Sequence, residues 1–280
     1  MEAAAKPPDW LGTCRRIAAE LRSMLARYPS TSDRSAELGR GAGGDLTLKI
    51  DDQAERAIFD ELERLHAQGH EFTVISEERG EIGYGGTRTL VVVDPIDGSL
   101  NAKRGLAPYA VSIAVADGPT MADVSFGYVY DFGLGEEWVA TRGGGVRRDG
   151  QALGDPGPER RSPEGLLELV ALESARPEWI LEGISDFVGL AHRIRAYGSI
   201  ACSLCQLAAG RIDAMATLSA ARSVDAAAAQ LILRESGGHV AFSGDEGPLG
   251  MALDLDARAR ILAARSAATL AELAAKSAVR

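Results

Sequence analysis

The sequence predicts an α/β chain in which layers of sheet and helix alternate. Apolar residues recur at helical spacing in residues 9–27 and 51–68, and short β-branched segments separated by Gly or Pro turns fill residues 90–150. From residue 166 onward, strand patterns alternate with helical ones. We therefore predict an α+β N-terminal half, residues 1–150, and an α/β C-terminal half, residues 151–280. A chain of 280 residues that is 46% hydrophobic can bury cores of that size.

The N-terminal elements follow from the spacing of apolar residues. Trp10, Cys14, Ile17 and Leu21 mark one face of a helix over residues 9–27. Residues 29–44 are polar and rich in glycine, which predicts an exposed and mobile loop. A second helix is predicted over residues 51–68, and a short strand over residues 72–75 leads to two consecutive glutamates.

The middle of the chain predicts an antiparallel meander. Residues 90–93 form a β-branched apolar run that is typical of a buried strand. Pro95 lacks an N–H and cannot continue a central strand, so we expect the chain to turn there. Strands are predicted over residues 111–116, 123–130 and 137–141, with glycine-rich turns at residues 143–145 and 149–150.

The C-terminal half alternates between the two kinds of element. Strands are predicted near residues 167–172, 192–195, 214–218 and 239–242, helices over residues 200–209 and 224–235, and a closing helix within residues 256–278. Cys202 and Cys205 form a C-x-x-C pair inside a predicted helix. The sequence lacks a second ligand pair at matching spacing, so we interpret them as buried thiols rather than a zinc or redox site.

Composition excludes several function classes. The formal net charge is −10, which argues against general affinity for nucleic acid or anionic membranes. The sequence contains neither a secretion signal nor an apolar run of about 18 residues. We therefore expect a cytoplasmic protein with no nucleic-acid or membrane partner.

The most informative motif is Asp94-Pro95-Ile96-Asp97-Gly98-Ser99, which ends the apolar run. Its two carboxylates, together with the Ile96 carbonyl, are ligands that hard divalent cations prefer. Gly98 allows close approach of the backbone, and Ser99 offers a hydroxyl and a backbone donor. The alternative interpretation is an ordinary Asp-Pro turn in which an aspartate caps the next segment.

Further acids lie at the ends of other predicted elements. Glu77 follows a strand, Asp225 begins an alanine-rich helix, and Asp51 follows the segment that starts at Asp45. Each alone has a structural explanation, because Asp225 and Asp51 can cap helices and Glu77 can lie in a solvated loop. Their combination and order carry the functional hypothesis.

Together these motifs resemble the inositol monophosphatase family, whose members include bacterial and archaeal fructose-1,6-bisphosphatases. The family pattern D-P-[IL]-D-G-[ST] matches residues 94–99, and its Glu-Glu pair matches residues 77–78. Residues 45–51, 195–199, 224–228 and 237–238 match the remaining family elements in the expected order. The resemblance implies a layered αβαβα sandwich with the active site between its two halves.

The resemblance also implies a cofactor and a reaction. Glu77, Asp94 and the Ile96 carbonyl would hold one Mg²⁺, and Asp94, Asp97 and Asp225 a second. Asp51 and Glu77 would position a third, weaker ion, and Mn²⁺ can replace Mg²⁺. The implied catalytic residues are Asp51, Glu77 and Ser99, with a metal-activated water attacking a phosphomonoester. Family members are usually homodimers and lithium-sensitive, so both properties are expected here.

Substrate contacts are implied for the residues that the family brings near the ester: Asp97, Gly98, Ser99, Arg195, Tyr197, Ser199, Arg222 and Asp225. Leu218 stands where animal members carry a glutamate that accepts an inositol hydroxyl, and leucine cannot do so. An arginine could instead pair with a distal phosphate, which favours fructose-1,6-bisphosphate. A solvated surface arginine is the alternative for Arg195 and Arg222.

The expected function is hydrolysis of inositol-1-phosphate, fructose-1,6-bisphosphate or a similar small polyol or sugar phosphate. Within the family, 3′-phosphoadenosine-5′-phosphate and histidinol phosphate are alternative substrates. A non-catalytic scaffold is an alternative of a different class. An NAD-binding protein is another, because Gly39-x-Gly41-x-x-Gly44 fits the dinucleotide pattern. That motif requires a following helix, whereas residues 46–50 look extended, so a loop that closes over the metals is the better interpretation.

Overall fold

The structure, a computed structural model, describes residues 7–28, 30–34, 37–40, 46–244 and 247–277. Its α-helices are α1 (Trp10–Ala26), α2 (Thr31–Arg34), α3 (Lys49–Ala67), α4 (Ser99–Arg104), α5 (Pro177–Gly183), α6 (Ile200–Ala208), α7 (Ser223–Glu235) and α8 (Ala267–Ser277). Two 3₁₀ turns, Met121–Asp123 and Ile184–Phe187, accompany them. No helix in these described ranges is both long enough and apolar enough to span a membrane.

The strands of the described ranges belong to two large sheets and two short pairs. They are β1 (Glu37–Arg40), β2 (Leu46–Leu48), β3 (Phe72–Ser76), β4 (Gly80–Asp97), β5 (Ala110–Ala116), β6 (Val124–Asp131), β7 (Glu136–Thr141), β8 (Gly145–Arg148), β9 (Gln151–Ala152), β10 (Leu167–Glu173), β11 (Ala191–Arg195), β12 (Ala214–Thr217), β13 (Ala221–Arg222), β14 (His239–Phe242), β15 (Arg258–Ala259) and β16 (Ile261–Ala264).

The larger sheet has seven strands in the order β3-β4-β5-β6-β7-β8-β9. From β4 to β9 each strand pairs antiparallel with the next, so the predicted meander is confirmed. The second half of β4 runs parallel to β3, with Thr73 opposite Leu90 and Ser76 opposite Val93. The ends of β3 and β4 therefore lie side by side, which brings the acids after these strands together.

The expectation that the chain leaves the strand at Pro95 is wrong, because β4 continues to Asp97. Asp94 lies opposite Ser112 and Asp97 opposite Ala110, so two residues of β4 face one residue of β5. Pro95 lies in this β-bulge, where a missing N–H costs no regular ladder hydrogen bond. The bulge keeps both aspartates on one rigid strand end.

The smaller sheet has five strands in the order β11-β10-β12-β16-β14. Strand β10 runs parallel to β11 and β12, whereas β16 runs antiparallel to β12 and β14. The predicted α/β character is confirmed for β10 to β12, where a crossover through α6 joins parallel strands. The short strands β13, β15 and β16 were not predicted, because two to four residues carry too little periodicity.

The two sheets alternate with three helical layers. Val91 and Val93 of β4 face a core with α1 and α3, whereas Val92 faces a second core with α6 and α7. Ala171 of β10 joins that second core from the other sheet, and Leu172 faces a third core with α8. The strand period of two thus fills three apolar layers, and the predicted αβαβα sandwich is confirmed. The second core contains residues from both predicted halves of the chain, residues 1–150 and residues 151–280.

The expectation of an irregular loop over residues 29–44 is wrong for two of its parts. Thr31–Arg34 is a helical turn, and Glu37–Arg40 pairs antiparallel with β2. The Arg34 guanidinium donates to the carbonyls of Tyr28 at 2.6 Å and Ala102 at 2.8 Å, which fixes the turn against α4. Residues 29, 35–36 and 41–45, with most of the glycine-rich motif and Asp45, lie outside the described residues.

Cys202 and Cys205 lie on α6 and are buried free thiols, as predicted. Burial is the main cause that raises the pKa of both thiols well above its ordinary value, and the charge of Asp131 adds to the effect. A protonated, buried thiol is a poor nucleophile and a poor metal ligand. The pair therefore contributes to packing.

Helix α7 approaches the larger sheet so closely that Gly127 of β6 cannot carry a side chain. A Cβ at this position would lie 2.6 Å from the carbonyl oxygen of Ala228. We predict that Gly127→Ala lowers the free energy of unfolding by about 1–3 kcal/mol, because backbone must shift to remove the overlap. Urea denaturation of the two proteins measures the difference.

Gly83→Ala is the matched control, because Gly83 also lies in a strand but has open space around its Cβ position. We expect that control to change the free energy of unfolding by less than about 1 kcal/mol. Equal losses in both variants would contradict the packing argument.

Candidate functional site

Three carboxylates from separate elements meet at the edge of the larger sheet. Glu77 follows β3, Asp94 lies near the C-terminal end of strand β4, and Asp225 lies in the first turn of helix α7. One oxygen of each lies within 4.8 Å of the others. The site exists because β3 and β4 end side by side and α7 begins against them.

The protein holds these acids in an environment that disfavours their charges. Burial raises the pKa of Glu77 to about 8, an effect that Arg222 opposes and Asp225 strengthens. Burial also raises the pKa of Asp94 well above its ordinary value, and the charges of Glu77 and Asp97 raise it further. Shifts of this kind are typical of functional sites, where like charges share a desolvated space.

Arg222 partly compensates this negative charge. Its guanidinium lies 2.6 Å from a carboxylate oxygen of Glu77 and 3.5 Å from one of Asp225. Its backbone N–H also donates to the other Asp225 oxygen at 3.0 Å. All three side chains are at most 14% exposed, so the ion pair is weakly screened by water.

Asp97 connects β4 to the beginning of α6. Its Oδ2 accepts hydrogen bonds from the Ser199 hydroxyl and the Ala201 N–H, both at 2.6 Å. Burial and the charge of Asp225 raise the pKa of Asp97 to about 7, although these two hydrogen bonds lower it. The Oδ2 oxygen of Asp97 is thus bound to the first residues of α6, and the carboxylate is still repelled by the charge of Asp225.

The backbone at Gly98 requires glycine for two reasons. Its φ is +88°, and a Cβ would lie 2.9 Å from the carbonyl oxygen of Gly198. Helix α4 begins immediately afterwards at Ser99. Gly98 and Ser99 line the same cavity of about 240 Å³ as Glu77, Asp94 and Asp97.

Sequence reasoning missed Glu173, a buried carboxylate at the end of β10. It accepts hydrogen bonds from the backbone N–H groups of Tyr197 at 3.0 Å and Gly198 at 2.8 Å, and from the Ser203 hydroxyl at 2.7 Å. Burial raises the pKa of Glu173. Glu173 thereby fixes the turn that presents Ser199 to Asp97. Its position just after a predicted strand was a usable signal, the same one that identified Glu77.

Glu55 was also missed, and it fixes the turn that carries Glu77. It accepts hydrogen bonds from the Ser76 hydroxyl and from the Arg79 N–H at 3.0 Å. Its position inside the predicted helix over residues 51–68 gave no sign of this role. The buried carboxylate of Glu55 therefore holds the turn that orients Glu77.

The remaining predicted site residues lie at different depths. Asp51 is buried near the start of α3, and its charge contributes to the raised pKa of Glu77. Ile96 and Ser199 line the cavity of about 240 Å³, called the inner cavity below. Tyr197 lines the groove that continues outward from it. Arg195 is exposed on β11, and it is not among the described residues that line the cavity or the groove.

An outer groove of about 610 Å³ continues from the inner cavity. The two spaces share Glu173, Gly198, Arg222 and Asp225. The groove adds three large side chains that sequence reasoning did not single out, Arg176, Trp179 and Arg258. The inner cavity and the outer groove therefore form one continuous space with the potential metal-ligating acids at its inner end.

The inner cavity fits a divalent metal ion. Its donors are carboxylate oxygens, which hard cations such as Mg²⁺ and Mn²⁺ prefer. Burial first, and repulsion between neighbouring carboxylates second, raise the pKa values of Glu77 and Asp94, and a bound cation would oppose both effects. Among the described residues, this is where three potential metal-ligating side chains come within 4.8 Å of one another.

The raised pKa values predict how stability depends on pH. Between the ordinary carboxyl pKa near 4 and the folded-state values of about 7 and 8, the folded protein binds more protons than the unfolded one. Stability without metal should therefore fall as pH rises from about 5 to 8. Calorimetry in a chelator at pH 5, 6, 7 and 8 measures this trend.

Added Mg²⁺ should raise the melting temperature most at pH 8, where the acids are ionised and can bind a cation. A metal-free protein that becomes more stable over this pH range would contradict the assigned repulsion.

Comparisons with known proteins agree with the motifs. The family model for the inositol monophosphatase family matches residues 12–279. The fructose-1,6-bisphosphatase/inositol-1-monophosphatase of Archaeoglobus fulgidus is 29% identical over 259 residues, 91% of this chain and 93% of the relative. The Nus factor SuhB of Escherichia coli strain K12 is 31% identical over 238 residues, 82% of this chain and 84% of the relative.

A solved structure shows the same architecture. The crystal structure of an inositol monophosphatase-fructose 1,6 bisphosphatase is 25% identical with a TM-score of 0.80, covering 96% of this chain and 99% of that one. The family model spans nearly the whole chain, and the relatives align along most of their length. The chain therefore belongs to the inositol monophosphatase family of phosphatases.

Proposed function

We propose that the protein is a Mg²⁺-dependent phosphomonoesterase that hydrolyses a small polyol or sugar phosphate, inositol-1-phosphate or fructose-1,6-bisphosphate. The observation that carries this proposal is the meeting of Glu77, Asp94 and Asp225 within 4.8 Å beside Gly98 and Ser99. The names of the Archaeoglobus fulgidus relative support both substrates. The acids are retained at every position that the chemistry requires, which favours catalysis over a non-catalytic scaffold.

The metal ligands would be divided between two ions. Glu77, Asp94 and the Ile96 carbonyl would hold one, and Asp94, Asp97 and Asp225 the other. Two bound cations supply electrostatic stabilisation to the attacking and leaving oxygens of a phosphoryl transfer. The cavity of about 240 Å³ that these residues line is large enough for ions and a phosphate group.

The protein's own residues would orient the reactants. The backbone N–H groups of Gly98 and Ser99 stand at the start of α4, where unpaired donors favour an anion such as phosphate. The Ser99 hydroxyl and the buried Asp51 would hold the attacking water by hydrogen bonds, beside the metal ligand Glu77. The Ser199 and Ala201 hydrogen bonds to Asp97 would keep its second oxygen in a fixed direction.

The position at which animal members carry an acidic inositol acceptor is apolar in this protein. Leu218 occupies that position, and its side chain is 4% exposed within the third hydrophobic core. The alcohol would instead meet Tyr197 and arginine side chains in the outer groove. This composition favours a phosphorylated sugar over a neutral inositol ring.

A panel of phosphate esters tests the proposed activity directly. We expect Mg²⁺-dependent release of phosphate from fructose-1,6-bisphosphate and inositol-1-phosphate, with slower release from 3′-phosphoadenosine-5′-phosphate and histidinol phosphate. Failure to release phosphate from all four, with Mg²⁺ or Mn²⁺ present, would refute the proposal and favour the scaffold interpretation.

Replacement of Asp94 separates metal binding from folding. Asp94→Asn should lower kcat by more than about 100-fold, because the loss of a direct ligand exceeds the usual effect of an outer one. The same variant should unfold at a higher temperature than the native protein in chelator, because one repelling charge is removed. Phosphate release and calorimetry with and without Mg²⁺ measure both effects.

Asp186→Asn is a suitable control, because Asp186 lines a different cavity, on the far side of the smaller sheet. We expect it to retain turnover and the stabilisation by Mg²⁺. Normal Mg²⁺-dependent turnover in Asp94→Asn would disprove the ligand assignment.

Replacement of Ser99 tests the water-orienting role. Ser99→Ala should fold normally, bind metal with unchanged stabilisation, and turn over about 100-fold more slowly. Metal binding stays intact because the hydroxyl is outside the group of three carboxylates. Kinetics indistinguishable from the native protein would exclude the hydroxyl from the reaction.

A further inference from the structure

The outer groove changes the sign of its charge along its length. Its acids, Glu173 and Asp225, lie at the inner end that it shares with the metal cavity. Both are already engaged, Glu173 by backbone N–H groups and Asp225 by Arg222. The side chains that the groove adds include Arg176 and Arg258, although the protein as a whole carries a net charge of −10.

Arg258 is held in a position that regular sheet structure disfavours. It lies directly opposite Arg222 in the antiparallel pair of β13 and β15. Side chains in such pairs have Cβ atoms about 5 Å apart, and like charges there lower stability. Arg222 is compensated by Glu77 and Asp225, whereas Arg258 donates to the backbone carbonyls of Leu255 and Ala257 at 2.5 and 3.0 Å.

Arg176 is held on the same groove by an aromatic ring. Its guanidinium carbon lies 4.8 Å from the centre of the Trp179 ring, a cation–π contact. Arg176 follows Glu173 by three residues, and Ala175 between them lines both the inner cavity and the groove. Within the described parts of the chain, neither Arg176 nor Arg258 forms an ion pair with a carboxylate.

Two guanidinium groups without a carboxylate partner beside a phosphate site indicate a second anion. Guanidinium groups bind phosphate through charge-assisted, often bidentate hydrogen bonds. A monophosphate ester would place its only charged group at the metal cavity and leave both arginines without a counter-charge. An ester with a phosphate at each end would satisfy both parts of the groove.

We propose that Arg176 and Arg258 bind the phosphate that is not hydrolysed and thereby make the protein selective for bisphosphorylated substrates. The inference rests on the proposed function, because it assigns the distal end of the same substrate. It places the selectivity on β15 and on the residue before α5. Arg195, the arginine of the family motif, is exposed on β11 outside the groove.

The test compares two substrates that differ in the distal phosphate alone, fructose-1,6-bisphosphate and fructose-1-phosphate. In Arg176→Ala and in Arg258→Ala, kcat/KM for the bisphosphate should fall by about 10-fold or more. A fall of this size corresponds to the loss of one charge-assisted hydrogen bond. For fructose-1-phosphate it should change less than about twofold. Arg193→Ala is the matched control, because Arg193 is an exposed arginine of β11 outside the groove.

A second measurement does not depend on turnover. Fructose-6-phosphate carries only the distal group, so its inhibition constant should rise in both variants and stay unchanged in Arg193→Ala. Arg176→Lys should recover part of the loss, because the charge is kept and the bidentate geometry is not. Both arginines are exposed, so neither variant should melt at a clearly lower temperature than the native protein.

The outcomes separate the two proposals. Equal losses for both fructose phosphates, or no loss in either alanine variant, would overturn the distal-phosphate assignment while leaving the phosphatase proposal intact. A native protein that hydrolyses neither fructose phosphate nor any other ester of the panel would refute the proposed function itself.

Discussion

The mutual repulsion of buried carboxylates is the interaction on which the site depends. Oxygens of Glu77, Asp94 and Asp225 lie within 4.8 Å of one another, with Asp94 buried and the other two side chains partly buried. Burial and neighbouring charges raise the pKa values of Glu77, Asp94 and Asp97. The arrangement is best explained by a ligand that carries positive charge, which would offset both the burial and the repulsion.

The surrounding fold resists that repulsion through a small number of directed hydrogen bonds. Glu173 fixes the turn before α6, Ser199 transfers that constraint to Asp97, and Arg222 joins Glu77 to Asp225. Asn101 of α4 donates to the carbonyls of Tyr197 at 2.6 Å and Pro108 at 2.8 Å, which ties helix α4 to the same turn. The polar groups that hold the site together therefore cross between the two sheets.

The inner cavity and the outer groove divide recognition between opposite charges. The inner end offers carboxylates, which require a cation before they can accept a phosphate. The outer end offers Arg176 and Arg258, which can accept an anion directly. The proposed bisphosphate substrate would therefore bind in one orientation, because its two ends would meet different chemistry.

The sequence by itself determined most of the longer strands and helices and most of the acids that stand at their ends. The apolar run of residues 90–93 and the order of the acidic motifs are local properties, and the resemblance to a family rests on the motifs. Tertiary structure decided the rest. Glu173 joins the site because parallel pairing of β10 with β11 brings its carboxylate to the turn at Tyr197 and Gly198. Arg258 faces Arg222 because of the register of two short strands distant in sequence. The segments 31–34 and 37–40 are ordered by Arg34 and by pairing with β2, contacts that their polar composition did not reveal. Element type depends on neighbours in sequence, whereas the charge balance of a site depends on which chain segments the sheets bring together.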